Sequence, residues 1–318
     1  MINFSLTQLS YIVAVDTHKN FVKAAESVFV SQPTLSMQIK KMENDLGVTI
    51  FDRTKQPVMP TEIGEKIIAK AREILKHAEH INELIQDYNG ILMGTINIGI
   101  IPSLASSFLP KFLPSFAAEF PDLTINIKEL YTENILEELK KDKLDFGIVV
   151  TPVKDEKIIE KPLFYEEIRP YFNKNHFLLQ KKKLTVQDLQ CEDLWVLSEG
   201  NCFRSQVLNL CSQTSDNNKT VSSKNIHFDS NTIETLVRFV DKEGGYTFVP
   251  EMIYENFSEK KKKKLKSING LTPLREVSLV HTRTYAKASA MQAFITHIKA
   301  NAPKEMLDKK RGTVIEWC

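Results

Sequence analysis

The sequence predicts an α/β protein in three parts: a small helical N-terminal domain, one long helix, and a large domain of alternating strands and helices. Short apolar stripes of helical period occupy residues 1–60. A seven-residue apolar repeat runs through residues 61–90. Strand and helix patterns then alternate over residues 91–303, which is typical of a doubly wound α/β fold, and residues 304–318 form a C-terminal tail.

The composition fits an ordinary globular protein. Hydrophobic residues make up 42% of the 318 positions and charged residues 26%. No apolar run approaches the ~18 residues of a membrane span, and the first residues lack a signal-peptide pattern, so we expect a cytoplasmic protein. Four cysteines are too few for a disulfide framework and lack zinc-site spacing, so we expect no metal and no cofactor. The net charge of +2 identifies no partner.

Residues 1–60 predict a winged helix-turn-helix, with the helix-turn-helix at about 21–40. Two short helices precede Ser31, which is a good N-cap for a third helix over Gln32–Asp45. Two short strands around a polar turn follow and would form the wing. The third helix is then a candidate recognition helix for a DNA major groove. A three-helix cap on an enzyme would show the same periodicity, so the pattern alone leaves both interpretations open.

The run AAESVFVSQPTLSMQIKKMENDLGVTIFDR, at residues 24–53, closely resembles the DNA-binding domain of LysR-type transcriptional regulators. The resemblance covers nearly all of residues 4–70. It implies that polar side chains early in the third helix contact DNA, while an arginine on the wing lies beside phosphates. The residues implied in DNA binding are Ser31, Gln32, Thr34, Ser36, Gln38 and Arg53.

Residues 61–90 predict one long helix that Thr61 can cap. Its apolar residues step by four and three in alternation, which is typical of a helix that pairs with a second helix. Packing on the chain's own domain is the alternative, but the strict alternation and the family resemblance favour a dimer helix. The seam consists of Ile67, Ala71, Ile74, Ala78, Ile81, Ile85 and Tyr88.

Residues 91–303 exceed one compact unit, so two lobes are expected. The LysR family has a two-lobe effector domain resembling periplasmic binding proteins. By that analogy, lobe I comprises about 91–163 and 268–303, and lobe II about 164–267. The predicted strands are Thr95–Ile101, Leu123–Lys128, Leu144–Val150, Leu194–Leu197, Asn225–Phe228 and Tyr246–Val249, and the predicted helices include Leu109–Phe116, Asn134–Lys141, Thr232–Asp241 and Ala286–Lys299.

Two cysteines nine positions apart, Cys202 and Cys211, form a candidate redox switch. A helix over about Phe203–Cys211 would favour a thiolate at its N-terminus, and the Arg204 cation would add to this. Along such a helix nine residues rise ~13.5 Å, whereas a disulfide needs Cα atoms within roughly 7 Å. Oxidation would therefore unwind the segment. The plain alternative is a pair of small buried hydrophobic residues.

The same region resembles the OxyR-type peroxide sensors within the LysR family. The residues that carry this resemblance are Gly99–Ser103, Gly200–Arg204, Cys211, and His227 with Phe228 ahead of Thr235 and Leu236. It implies that Cys202 is the peroxidatic cysteine and Cys211 the resolving one. That subfamily usually has histidine and aspartate where this chain has Asn201 and Ser205. The implied sensing pocket comprises Ser103, Thr132, Asn201, Arg204, Ser205 and His227.

Together these features predict a DNA-binding regulator, an activator of oxidative-defence genes, rather than an enzyme. Its expected partners are promoter DNA, hydrogen peroxide as signal, a second copy in a homodimer or homotetramer, RNA polymerase and a thiol reductant. Two alternatives remain open. One is a LysR-type regulator that binds a small metabolite between the lobes, and the other is a thiol peroxidase, which the helix-turn-helix disfavours.

Overall fold

The chain divides into two compact units, Met1–Ile91 and Leu92–Cys318. Within the part of the chain that the structure describes, no helix combines the length and apolarity needed to cross a membrane. The structure, a computed structural model, describes residues 4–88, 92–189, 193–212, 230–282 and 287–317.

The first unit is a winged helix-turn-helix followed by one long helix, as predicted. The stripe of Leu35, Ile39 and Met42 is fully buried in its core. Gly47 ends the third helix in the left-handed conformation, with φ 69°, which glycine adopts without a Cβ penalty. The elements are α1 (Leu6–His18), α2 (Phe21–Ser27), α3 (Gln32–Leu46), β1 (Phe51–Asp52), β2 (Met59–Pro60) and α4 (Glu62–Tyr88).

The predicted seam of α4 has two parts with different surroundings. Ala71 is buried in the core of its own domain and Ile67 is half-buried against it, so contact of Ile67 with a second chain stays a prediction. By contrast, Ile74 and Ile81 are 38% and 61% exposed. Ile85 lies on α4, but its side chain is outside the described part. A partner helix remains a prediction for the later turns of α4.

The second unit is built on a seven-stranded sheet. Its strands are β3 (Gly94–Ile100), β4 (Leu123–Glu129), β5 (Phe146–Thr151), β6 (Ile158–Phe172), β7 (Tyr246–Pro250), β8 (Pro273–Thr282) and β9 (Thr313–Val314). Their order in the sheet is β4-β3-β5-β8-β6-β7, and β9 pairs with β8. Its helices are α5 (Pro102–Glu119), α6 (Thr132–Lys140), α7 (Phe177–Gln180), α8 (Cys202–Ser212), α9 (Ile233–Glu243), α10 (Glu251–Tyr254), α11 (Glu259–Lys262) and α12 (Ala288–Asn301).

Two long antiparallel strands, β6 and β8, carry the chain between two lobes. They pair from Ile158 opposite Thr282 to Glu167 opposite Leu274. One apolar core lies around β3, β5 and α12, and a second lies around β7, α8 and α9. The predicted α/β fold with two lobes is therefore confirmed.

One predicted strand is wrong. Leu194–Leu197 is irregular, and only Leu194 makes a single bridge, to Tyr246. The segment is nevertheless buried at Leu194 and Leu197, so its apolar character reflects core packing rather than a ladder. The strand predicted at Asn225–Phe228 lies outside the described residues.

Candidate functional site

The two cysteines lie on one helix, as predicted. A turn at Gly200, with φ 81°, leads into α8, and the Asn201 side chain accepts a hydrogen bond from the Phe203 N–H at 3.0 Å. Asn201 thus acts as a helix cap. Cys202 and Cys211 are free and buried, with 3% and 0% exposure.

The thiols belong to different apolar cores. Cys202 packs in the core of lobe I and Cys211 in the core of lobe II. Nine residues of helix separate their Cα atoms by about 14 Å, from a rise of 1.5 Å per residue and a half-turn offset across the cylinder. This is twice the roughly 7 Å that a disulfide tolerates, so the bond cannot close while α8 stays helical.

A buried ion pair lies beside the start of α8. Arg275 of β8 donates to Glu166 of β6 at 2.6 Å, and both side chains are fully buried. The same guanidinium donates to the backbone carbonyl of Ser103 at 3.2 Å and lies 5.2 Å from the ring centroid of Phe203. A positive charge is therefore fixed next to the helix turn that carries Cys202.

Burial raises the pKa of the Cys202 thiol, because a thiolate loses hydration in the core. The charge of Arg275 opposes this and favours a lower pKa, as do the Thr132 hydroxyl and the backbone N–H groups at the helix start. Arg204 was expected to supply the cation. Its guanidinium donates to the Leu197 carbonyl at 2.9 Å, and its place in the sensing pocket stays a prediction.

One buried polar atom near the thiol, Asn201 Nδ2, lacks a hydrogen-bond partner among the described residues, whereas the Thr132 hydroxyl interacts with the Cys202 thiol. Buried polar groups are normally paired, so Asn201 Nδ2 could donate to a small polar molecule beside Cys202. Ser205 is half-buried on α8, and His227 lies outside the described residues. The structure thus places Ser103, Thr132 and Asn201 around one end of α8.

Direct hydrogen bonds join the two lobes near this end. The Tyr131 hydroxyl donates to Asn231 at 2.8 Å, and Ser106 donates to Glu234 at 2.7 Å. These bonds connect the helices of lobe I to the start of α9 in lobe II. The lobes are therefore in contact beside Cys202.

The candidate DNA interface is the first half of α3 with the wing. Ser31, Gln32 and Thr34 are exposed, whereas Ser36 and Gln38 are half-buried. Ser31 caps the helix through the Thr34 N–H at 3.4 Å, and Gln38 accepts a hydrogen bond from Gln8 at 3.3 Å. The exposed side chains of Ser31, Gln32 and Thr34 can contact DNA, whereas Gln38 already makes a hydrogen bond within its own domain.

Arg53 connects the wing to α3. Its guanidinium donates to Ser36 at 3.0 Å and to Glu43 at 3.2 Å, and lies 5.0 Å from the ring centroid of Phe21. Glu43 also accepts hydrogen bonds from the N–H groups of Ile50 and Phe51. These contacts fix the position of a partly exposed cation beside the recognition helix.

Sequence reasoning missed Glu166 and Arg275. No local signal distinguished them, because Glu166 is followed by Glu167 and Arg275 by Glu276, and charged residues are mostly exposed unless they are paired. Among the described residues, no cluster of three or more His, Cys, Asp or Glu side chains could hold a metal ion.

The chain matches two family descriptions. Residues 6–65 match the bacterial regulatory helix-turn-helix protein, LysR family, and residues 89–303 match the LysR substrate binding domain. A hydrogen peroxide-inducible genes activator of Haemophilus influenzae is 33% identical over 277 residues, which is 87% of this chain and 90% of the relative.

Solved structures agree with this assignment. A full-length OxyR cysteine variant of Pseudomonas aeruginosa is similar, with TM-score 0.73, 28% identity, and coverage of 93% of this chain and 98% of that one. An OxyR mutant of Corynebacterium glutamicum in its H₂O₂-bound form has TM-score 0.60 and 27% identity, with coverage of 94% and 93%. The chain belongs to the LysR family of transcriptional regulators.

Proposed function

We propose that this chain is a transcription regulator that senses hydrogen peroxide through a reversible disulfide between Cys202 and Cys211. The observation that carries the proposal is the placement of both free thiols on one helix, too far apart to bond without unwinding it. The similarity to a peroxide-inducible genes activator and to an H₂O₂-bound OxyR structure supports peroxide as the signal.

In the proposed chemistry, both bond-forming steps take place on the sulfurs of Cys202 and Cys211. The Cys202 thiolate attacks one oxygen of H₂O₂, so the O–O bond breaks, hydroxide leaves, and a sulfenic acid forms. The Cys211 thiol then displaces the sulfenic oxygen as water and forms the S–S bond. Asn201 would hold the peroxide through its unpaired Nδ2, and Arg275 and the Thr132 hydroxyl would favour the thiolate. A separate thiol reductant would restore both cysteines.

The proposed output is a change of contacts with double-stranded promoter DNA. Ser31, Gln32 and Thr34 are exposed on α3, where they would read base edges. A homodimer or homotetramer joined through the later turns of α4, at Ile74 and Ile81, would present two recognition helices. We propose that it acts in the cytoplasm, activates oxidative-defence genes with RNA polymerase, and does not turn over substrate as an enzyme.

The test is disulfide mapping by mass spectrometry after stoichiometric peroxide, combined with footprints on promoter DNA. We expect a bond between Cys202 and Cys211 and a changed footprint, and neither in Cys202→Ser. Cys318→Ser is the matched control and should behave as wild type. A footprint that responds only to a small metabolite would support the alternative regulator. Continuous peroxide turnover with a thiol reductant, without DNA binding, would support a thiol peroxidase.

A further inference from the structure

The segment after the last helix returns to the sheet as a short strap, residues 313–317. β9 pairs in parallel with β8, with Thr313 opposite Pro273, and the Ile315 N–H donates to the Leu274 carbonyl at 2.8 Å. A Cβ on Gly312 would lie 2.2 Å from the Thr272 carbonyl oxygen, so only glycine permits this approach. The matched effector-domain description ends at residue 303, before the strap begins.

Two successive carbonyls of the strap accept hydrogen bonds from α8. Gln206 donates through Nε2 to the Ile315 carbonyl at 2.7 Å, and Asn209 donates through Nδ2 to the Glu316 carbonyl at 3.0 Å. Gln206 and Asn209 are three residues apart and therefore adjacent on one helix face. Because that adjacency depends on helical geometry, unwinding α8 would separate the two donors and break the pair of hydrogen bonds to the strap.

The strap also contacts both lobes. Ile315 packs against the core of lobe II, whereas Trp317 packs against the core of lobe I and donates to the Val150 carbonyl at 3.1 Å. The two cores are the ones that separately hold Cys211 and Cys202. The strap thus links the helical form of α8 to both lobe cores, and each of these cores holds one of the two cysteines that the disulfide would join.

We propose that the strap holds α8 in its reduced, helical form, with Gln206 and Asn209 as positioning residues that set the rate of disulfide closure. This inference rests on the proposed peroxide-sensing function. The strap takes no part in the bond changes. It acts after the sulfenic acid forms, because condensation with Cys211 requires α8 to unwind, whereas attack of Cys202 on peroxide does not.

The experiment measures the two steps separately in the full chain, with Cys318→Ser as the parent so that every variant has the same thiols. One variant ends the chain at Val314, which removes both acceptor carbonyls and Trp317. A second carries Gln206→Met and Asn209→Val, which removes both donors at similar helix propensity. Glu316→Gln is the matched control, because the acceptor is its backbone carbonyl. Sulfenic acid is trapped with dimedone, and disulfide formation is followed by quenched flow and mass spectrometry.

We expect both variants to form the disulfide at least about fivefold faster than the parent, since two net hydrogen bonds no longer oppose unwinding. The sulfenylation rate should change by less than about twofold, and Glu316→Gln should match the parent, because a hydrogen bond to the backbone survives side-chain replacement. A general loss of packing would expose Cys202 and accelerate both steps together.

Equal acceleration of both steps, or an unchanged closure rate in both variants, would overturn the role of the strap while leaving the sensing function intact. If the shortened chain fails to fold, the double variant alone decides. Absence of any bond between Cys202 and Cys211 in the parent would overturn the proposed function and the strap together. The two failures are therefore distinguishable.

Discussion

Placing the resolving thiol at position 205, three residues after Cys202, should separate oxidation of the protein from its effect on DNA contacts. Ser205→Cys combined with Cys211→Ala places the second thiol less than one helical turn from the first. With a rise of 1.5 Å and a rotation of 100° per residue, Cα atoms three residues apart lie about 5 Å apart, against about 14 Å for nine residues. The shorter distance lies inside the roughly 7 Å limit for a disulfide, so this bond can close on an intact helix.

The expected result is a disulfide without a switch. Peroxide should oxidise Cys202 and close the bond to position 205, yet the promoter footprint should stay that of the reduced protein. Wild-type protein should show both the bond and the changed footprint. Hydrogen exchange across α8 supplies the structural measurement, because amide protection should fall on oxidation of the wild type and persist in the variant.

Cys211→Ala alone is the matched control, and it should form a sulfenic acid at Cys202 without a lasting disulfide. Two results would refute the reasoning. One is a switched footprint in the variant whose α8 remains protected. The other is a wild-type disulfide formed while α8 keeps its reduced-state protection.

Three further predictions concern charges. The rate of Cys202 oxidation should rise about tenfold per pH unit near neutrality, because burial keeps the thiol pKa above the assay pH and the thiolate fraction grows with pH; a flat profile would contradict this. Arg275→Met should lower the free energy of unfolding, measured with denaturant, by about 3–5 kcal/mol, because it leaves the buried Glu166 carboxylate without a partner. Adding Glu166→Gln should recover most of that loss, because it removes the unpaired charge. Arg53→Gln should weaken binding to all DNA sequences alike. It should also reduce the slope of the logarithm of the binding constant against the logarithm of salt concentration by about 1. A loss of affinity confined to the specific site would exclude a phosphate contact.

The N-terminal domain could be predicted closely because its signals are local. Ser31 caps α3 through the Thr34 N–H, and Leu35, Ile39 and Met42 form the buried stripe that their spacing indicates. A heptad pattern, however, does not identify the surface against which its apolar side chains pack. Ile67 is half-buried against the core of its own domain while Ile81 is exposed, and both fit the same repeat.

The candidate site around Cys202 was less predictable because its electrostatics depend on strands that are distant in sequence. Glu166 and Arg275 are 109 positions apart and meet only because β6 and β8 pair. Arg204 is two residues from Cys202 and looked like the obvious cation, yet its side chain caps a loop carbonyl. Sequence proximity identified the reactive segment, but the partner charge follows from the sheet register.

The placement of the two thiols explains how a local bond could act on the whole domain. Cys202 fills part of the lobe I core and Cys211 part of the lobe II core, so a disulfide must withdraw at least one of them from its core. Phe203, buried beside Cys202 and facing Arg275, would move with it. Close-packed cores respond to such losses by repacking rather than by continuous deformation, so the lobes would settle into a second arrangement. The hydrogen bonds Tyr131–Asn231 and Ser106–Glu234 join the lobes in the reduced form, so a second arrangement of the lobes would have to strain or break them.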